Sequence, residues 1–193
     1  MGQLSKGGWL FRDNLMAGRL DGIQLLVASG RTSAYRIGTA LADVEKALET
    51  SAATRHLTTI DVCHSQVAAS IVGMFSLYES RLQSIYRWAK PFDEVQRLLE
   101  SNGGTNQAEE FENFKLAVNV LKHGRGDSHS KLLSRSERLP FKVQSYFGEF
   151  HEEGDCCPPS DLILVSTELL ELCCGAIESS WLVVQSCTPQ TTA

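Results

Sequence analysis

The sequence lacks any uninterrupted apolar run of about 18 residues, the length that a membrane-spanning helix needs. Its first residues, MGQLSKGGWLF, contain neither the apolar region nor the cleavage site of a signal peptide. They also miss the myristoylation pattern, because Ser5 stands one position too early and Lys6 follows it. We therefore expect a cytoplasmic protein with no membrane segment.

Several common enzyme motifs are also missing. The sequence contains no G-x-x-x-x-G-K-[ST] phosphate loop, no G-x-G-x-x-G, no H-E-x-x-H and no G-x-S-x-G. These absences argue against a nucleotide-driven enzyme and against a zinc metalloprotease. We expect no cofactor.

Cysteine is present six times, and four of these residues form two vicinal pairs: Cys63, Cys156, Cys157, Cys173, Cys174 and Cys187. Because no export signal precedes them, reduced thiols are the expected state. A zinc site built from His151, Cys156 and Cys157 would not match the usual C-x2-C ligand spacing. The sequence therefore predicts no metal site.

The charge of the chain is unevenly distributed. Its net charge is -5, yet the segment from Lys115 to Lys142 carries seven basic residues against two acidic ones, so that segment is +5 and the remainder is -10. Such a basic segment indicates either a polyanion-binding site or a surface that pairs with acidic segments of the same chain. A solvated loop is the simpler alternative.

Apolar residues recur at helical spacing from residue 32 onward, and no alternating strand pattern is present. We expect an all-α protein, an up-and-down bundle of about four main helices with accessory short helices. The predicted helices are 32–50 with Thr32 or Ser33 as cap, 57–89, 92–99, 107–122, 130–136, and a last one that begins at a capping Ser160 or Asp161 and carries Leu162 and Val165.

This pattern divides the chain into three parts. Residues 1–31 are expected to form an N-terminal arm or accessory helix, and residues 32–187 the helical domain. Residues 188–193 are expected to be a disordered tail.

The most informative stretch is NVLKHGRGDSHSKLL, which begins at Asn119. On a helix, Lys115, Asn119, Lys122 and His123 fall within an arc of about 100°, opposite the apolar residues. Gly124 and Gly126 flank Arg125 and allow the backbone to approach a ligand closely. Lys131 follows within the same basic segment.

Phosphodiester chemistry could use this set of side chains. Imidazole exchanges protons near neutral pH, so His123 could act as base toward a ribose 2'-hydroxyl or as acid toward a leaving oxygen. Neighbouring cations could neutralise phosphate, and Asn119 could orient the ring. The alternative is purely structural, since cations favour the last turn of a helix and glycine commonly follows it.

The run AVNVLKHGRGDS resembles the HEPN superfamily, whose signature R-N-x-x-x-H lies at the end of a bundle helix. Asn119 and His123 match that signature, whereas Val118 occupies the arginine position. Lys115 stands one turn upstream, as in a branch of HEPN-like proteins with N-x-x-K-H-G, and SIVGMFSLYESRLQSI is similar to the partner helix of the family.

The resemblance implies a homodimer, or a complex with an antitoxin or effector protein, in which two motif faces form one groove. It implies either a metal-independent endoribonuclease of a toxin-antitoxin or antiviral defence system, or a noncatalytic protein that binds RNA. In the first case His123 and Asn119 are catalytic, and Lys115, Lys122, Arg125 and Lys131 bind RNA phosphates. A noncatalytic helical adaptor or dimer subunit that docks a protein partner is the alternative, and a regulatory fragment that docks through residues 1–31 is a third.

Overall fold

A computed structural model describes residues 21–50, 54–145 and 162–188. Over these residues the chain forms an all-α bundle, which confirms the predicted fold class. In chain order the helices are α1 (Gly22–Leu48), α2 (Thr54–Tyr86), α3 (Pro91–Ser101), α4 (Thr105–His123), α5 (Asp127–Leu133), a 3-10 helix (Ser136–Arg138) and α6 (Thr167–Cys187). The four long helices, α1, α2, α4 and α6, correspond to the four main helices expected from the sequence.

The first helix begins about ten residues earlier than predicted. Asp21 caps α1, since its carboxylate accepts from the backbone N–H of Ile23 and of Gln24, each at 2.8 Å. The predicted caps, Thr32 and Ser33, lie inside the helix, where their hydroxyls donate to the carbonyls four residues earlier. The predicted domain boundary at residue 31 therefore lies within a continuous helix.

The glycine in the middle of α1, Gly30, is required by close packing. A Cβ at this position would lie 2.5 Å from Met74 Sδ on α2 and 2.7 Å from Cys174 Sγ on α6. The absence of a side chain thus lets α1 pack closely on both helices, although glycine lowers helix propensity.

The core lies where α2 meets α1, α4 and α6. An aromatic cluster of Phe75, Tyr78, Phe92 and Phe111 joins α2, α3 and α4, with ring centroids 5.5 to 6.4 Å apart. The Tyr78 hydroxyl is 3.1 Å from Ser180 Oγ of α6, so the buried phenol keeps a hydrogen-bond partner. This packing fixes α4, which carries the candidate site, against the bundle.

The helix α2 is the one helix of the described residues that is long and apolar enough, by length and composition alone, to cross a membrane. The sequence expectation of no membrane segment counted only uninterrupted apolar runs, whereas polar residues interrupt the apolar residues of α2 at several places. Core helices of water-soluble proteins meet the same criterion. In this bundle Val67, Ile71 and Leu82 of α2 are fully buried.

The last helix begins later than predicted. Ser166 is its N-cap and accepts from the backbone N–H of Leu169, whereas the predicted caps Ser160 and Asp161 lie outside the described residues. Leu162 and Val165 precede the helix. Their segment is instead paired with residues 142–144 through an antiparallel bridge between Val143 and Ile163.

Candidate nucleic-acid interface at the α4–α5 corner

The candidate site lies where α4 ends and α5 begins. Gly124 terminates α4 with φ of 73°, a backbone conformation that favours glycine, and its N–H donates to the Val120 carbonyl at 2.8 Å. Gly126 is extended, with φ of 167°, and needs no glycine for that reason. Only Gly124 is therefore required by the backbone to turn the chain away from α4.

The residues of the predicted polar face differ in exposure. His123 is the last residue of α4, and it is exposed together with Lys122. Asn119, one turn earlier, is half-buried, whereas Val118 is 5% exposed and belongs to the core. The position that holds arginine in the HEPN signature thus faces the interior of this bundle.

Lys115 is already engaged by two carboxylates. Its Nζ lies 2.5 Å from Glu112 Oε2 on the same helix and 3.8 Å from Asp93 Oδ1 on α3. The close contact is an ion pair rather than an aligned hydrogen bond, because Glu112 Oε2 has no hydrogen-bond partner of acceptable geometry in the described part of the chain. Both side chains are mostly buried, with exposed fractions of 21% and 17%. Lys115 therefore carries a largely neutralised charge, and its predicted contact with phosphate requires it to leave Glu112.

Two other cations of the basic segment also have partners on α4. Arg135 donates from Nη1 to Oδ1 of the buried Asn113 at 2.9 Å, and Arg138 lies 3.8 Å from Glu109. Both partners belong to α4. The remaining cations of the segment are exposed and form no ion pair with any described residue: Lys122, Arg125, Lys131 and Lys142.

The structure thus divides the basic segment into two groups with different roles. Three cations hold the segment to acidic or amide groups of α3 and α4, and four are free to meet a ligand. Lys122 and Arg125 flank His123 and Gly124 in the chain, so free positive charge concentrates beside the exposed imidazole. This arrangement can attract an anion to His123 without help from Lys115.

His129 is a buried residue that the sequence reasoning did not single out. Its Nε2 lies 2.8 Å from the Gln144 carbonyl oxygen, and because a carbonyl only accepts, Nε2 carries the proton. Gln144 in turn donates its backbone N–H to the Leu162 carbonyl at 3.0 Å. His129 therefore fixes α5 to the bridged segments. The burial of His129 could have been predicted from its spacing of three residues from Leu132, because residues three apart share a helix face and Leu132 is fully buried.

Cysteine chemistry has no support at the three buried thiols of the described residues. Burial raises the pKa of Cys63, and it raises the pKa of Cys174 to about 12 and that of Cys173 well above its usual range. A buried thiol that keeps its proton is a poor nucleophile and a poor metal ligand. No group of three or more metal-binding side chains occurs among the described residues, and the zinc candidate of His151, Cys156 and Cys157 lies outside them.

Comparisons with protein-family models, with curated proteins and with solved structures found no match. The resemblance to the HEPN superfamily stays a prediction that is carried by two short stretches of sequence.

Proposed function

We propose that the protein is an RNA-binding, HEPN-like ribonuclease that acts at the α4–α5 corner without a metal ion. The observation that carries this proposal is the exposed His123 between Lys122 and Arg125, two cations that form no ion pair with any described residue. The other cations expected to bind the backbone of the RNA are Lys131 and, once released from Glu112, Lys115.

Charge supports RNA as the ligand. Four free cations lie in a basic segment of net charge +5, whereas the remaining residues of the chain sum to -10, so the segment is the part of the chain that most attracts a polyanion. The bend at Gly124 ends α4 directly after His123, which leaves the ring open to solvent on the side away from the bundle.

The chemistry proposed for His123 is proton transfer during cleavage of the phosphodiester. The ribose 2'-hydroxyl loses its proton and attacks phosphorus, and the bond to the 5'-oxygen breaks, which yields a 2',3'-cyclic phosphate and a free 5'-hydroxyl. His123 accepts the proton of the nucleophile or donates one to the leaving oxygen. Asn119, half-buried one turn earlier, orients the ring, and the cations stabilise charge on the phosphate.

A single corner offers one exposed histidine for two proton transfers. A second copy of the chain would supply the other, as the resemblance implies for a homodimer with a composite groove. Light scattering of the purified protein at two concentrations checks this expectation, since a twofold assembly has twice the molar mass of the chain.

The test is cleavage of a labelled, structured RNA in the presence of a chelator. The wild-type protein should release fragments that end in 2',3'-cyclic phosphate, and His123→Ala should lower the rate about 10²- to 10⁴-fold. His56→Ala, which removes a half-buried histidine near the start of α2, is the matched control and should cleave normally.

Two results remove His123 as a catalyst. Equal cleavage by the wild type and His123→Ala would show that another group or a contaminant cuts the RNA. Absence of cleavage by either protein would limit the corner to RNA binding.

A noncatalytic protein that docks a partner is the second candidate. It is favoured by the ion pair of Lys115 with Glu112 and by the burial of Val118, because together they leave Arg125, beyond the end of α4, as the remaining substitute for the arginine of the HEPN signature. In that case RNA is not cleaved under any condition, while the chain still presents a surface for a protein.

A further inference from the structure

A concave surface separate from the α4–α5 corner lies between α1 and α6. This groove encloses about 760 Å³ and is formed by the second half of α1 and the first turns of α6. The two helices run antiparallel here, since Asp21 at the start of α1 binds Trp181 near the end of α6, and Gly38 lies beside Thr167 at its start.

Small residues at every fourth position of α1 keep the groove open. Ala34, Gly38 and Ala42 line it, and a Cβ added at Gly38 would only reach ordinary contact with Thr167, at 3.9 Å. Leu172 of α6 adds apolar surface. Spacing of four residues along a helix leaves a shallow channel into which the ridge of another helix can fit.

An exposed aromatic residue, Tyr35, lies beside this channel. Tyr35 lines the groove and is 74% exposed, the largest exposure of the large apolar side chains in the described part of the chain. Tyrosine is enriched at the centres of protein interfaces, and its ring also attracts the cationic head of lysine or arginine.

The ionisable residues that line the groove are all acidic. Asp43, Glu168 and Glu171 are carboxylates, and no lysine, arginine or histidine lines the same surface. Glu171 lies 3.8 Å from Arg31, which is held mainly by Glu178 at 2.7 Å, whereas Asp43 and Glu168 form no ion pair with a described residue. The groove therefore keeps uncompensated negative charge beside an apolar floor.

We propose that this groove binds an amphipathic, basic helix of a partner protein. The small-residue channel receives the apolar ridge of the helix, Tyr35 packs against it, and the carboxylates of Asp43 and Glu168 pair with its lysine or arginine residues. This site is independent of RNA binding at the corner, because the two surfaces carry opposite charge and involve different helices.

Fluorescence anisotropy with designed peptides tests the proposal on the full chain. The probe is a labelled amphipathic helical peptide with leucine along one face and lysine along the other, compared with the same peptide carrying glutamate in place of lysine. The lysine peptide should bind, and the glutamate peptide should bind about tenfold more weakly or not at all.

Two pairs of variants locate the binding. Gly38→Leu should fill the channel and weaken the lysine peptide about tenfold, whereas Gly73→Leu, a helical glycine with open space on α2, should leave binding unchanged. Tyr35→Ala should weaken binding, whereas Leu77→Ala, which removes another large exposed side chain, should not. Both glycine variants gain helix propensity, so neither is expected to unfold the bundle.

Three outcomes overturn the proposal. Failure of the wild-type chain to bind the lysine peptide excludes a basic helix as the occupant. Equal binding by Gly38→Leu and Gly73→Leu places the peptide elsewhere. If the wild type self-associates and Gly38→Leu alone prevents this in sedimentation, a second copy of the chain is the occupant instead of a partner.

Discussion

Lys115 Nζ lies 2.5 Å from Glu112 Oε2, so this cation, one helical turn before Asn119, is held by a carboxylate three residues earlier on α4. This ion pair decides whether Lys115 adds to the free positive charge of the α4–α5 corner. The glutamate of this ion pair is itself mostly buried.

Replacing Glu112 with glutamine should remove the closer of the two carboxylates that engage Lys115, which leaves Lys115 more available to phosphate. RNA affinity should rise a few-fold, and for single-stranded RNA the slope of log K against log salt should steepen by about 0.7, one added phosphate contact. Titrations at several salt concentrations measure both quantities. Glu110→Gln removes the same charge from an exposed position of α4 that forms no ion pair with a described residue. If Glu110→Gln changes the slope equally, the effect is one of net charge alone.

The two histidines of the corner region should differ in their effect on stability. His129→Ala should lower the free energy of unfolding by about 2 kcal/mol, because it removes a buried donor to the Gln144 carbonyl and leaves a void. His123→Ala should change it by less than about 0.5 kcal/mol, since that side chain is exposed. Urea denaturation of both variants provides the comparison, and a large loss in His123→Ala would contradict its placement at the surface.

Asp21 should contribute more to stability than its position at a helix end suggests. Its Oδ1 caps α1, while its Oδ2 accepts from Trp181 Nε1 at 2.9 Å and from Gln185 Nε2 at 3.1 Å. Asp21→Ala should cost about 2 kcal/mol, and Asp21→Asn less, because an amide oxygen can still cap the helix. Asp43→Ala, at an exposed position of α1, should cost under about 0.5 kcal/mol in the same assay. Equal losses for Asp21→Ala and Asp43→Ala would argue against the role of Asp21.

Alkaline pH should destabilise the bundle. Burial raises the pKa of Cys174 from an ordinary value of 9.0 to about 12, and it also raises the pKa values of Cys173 and Tyr78 well above their usual ranges. Because the unfolded chain loses these protons first, their contribution to stability is complete below pH 9 and is lost as pH rises toward the folded values.

Cys174→Ala should therefore flatten the decline of unfolding free energy between pH 9 and 12, and Cys187→Ala, which alters an exposed thiol, should not. Denaturation at a series of pH values gives the slopes. Identical slopes for the two variants would mean that Cys174 titrates alike in the folded and unfolded chain.

The apolar periodicity of the sequence predicts α2 and α4 to within a few residues, because their buried faces run unbroken along each helix. The predicted starts of α1 and α6 are wrong, the first too late in the chain and the second too early. Thr32 and Ser33 look like caps but bond back to their own helix, while Leu162 and Val165 have helical spacing but belong to a bridged segment. A local cap, Asp21, sets the start of α1, whereas a contact with a distant part of the chain decides the structure before α6.

At the candidate site, too, some features are predictable from the sequence and others depend on how distant parts of the chain pack. The exposure of Lys122 and His123 follows from the helical projection, and the ion pair of Lys115 with Glu112 is readable from a spacing of three residues. The contribution of Asp93 is not readable, because it depends on how α3 packs against α4. The burial of His129 likewise depends on the Gln144 carbonyl, fifteen residues away.

The central claim is that free cations beside His123 bind RNA phosphates, and the salt dependence of RNA binding tests it most directly. For single-stranded RNA, the double variant Lys122→Ala/Arg125→Ala should bind more weakly, with a slope of log K against log salt that is shallower by about 1.4, corresponding to two lost phosphate contacts. Arg36→Ala/Lys46→Ala, which removes two exposed cations of α1, should retain the wild-type slope. RNA binding with the same slope in all three proteins, or no RNA binding by the wild type, would contradict the account.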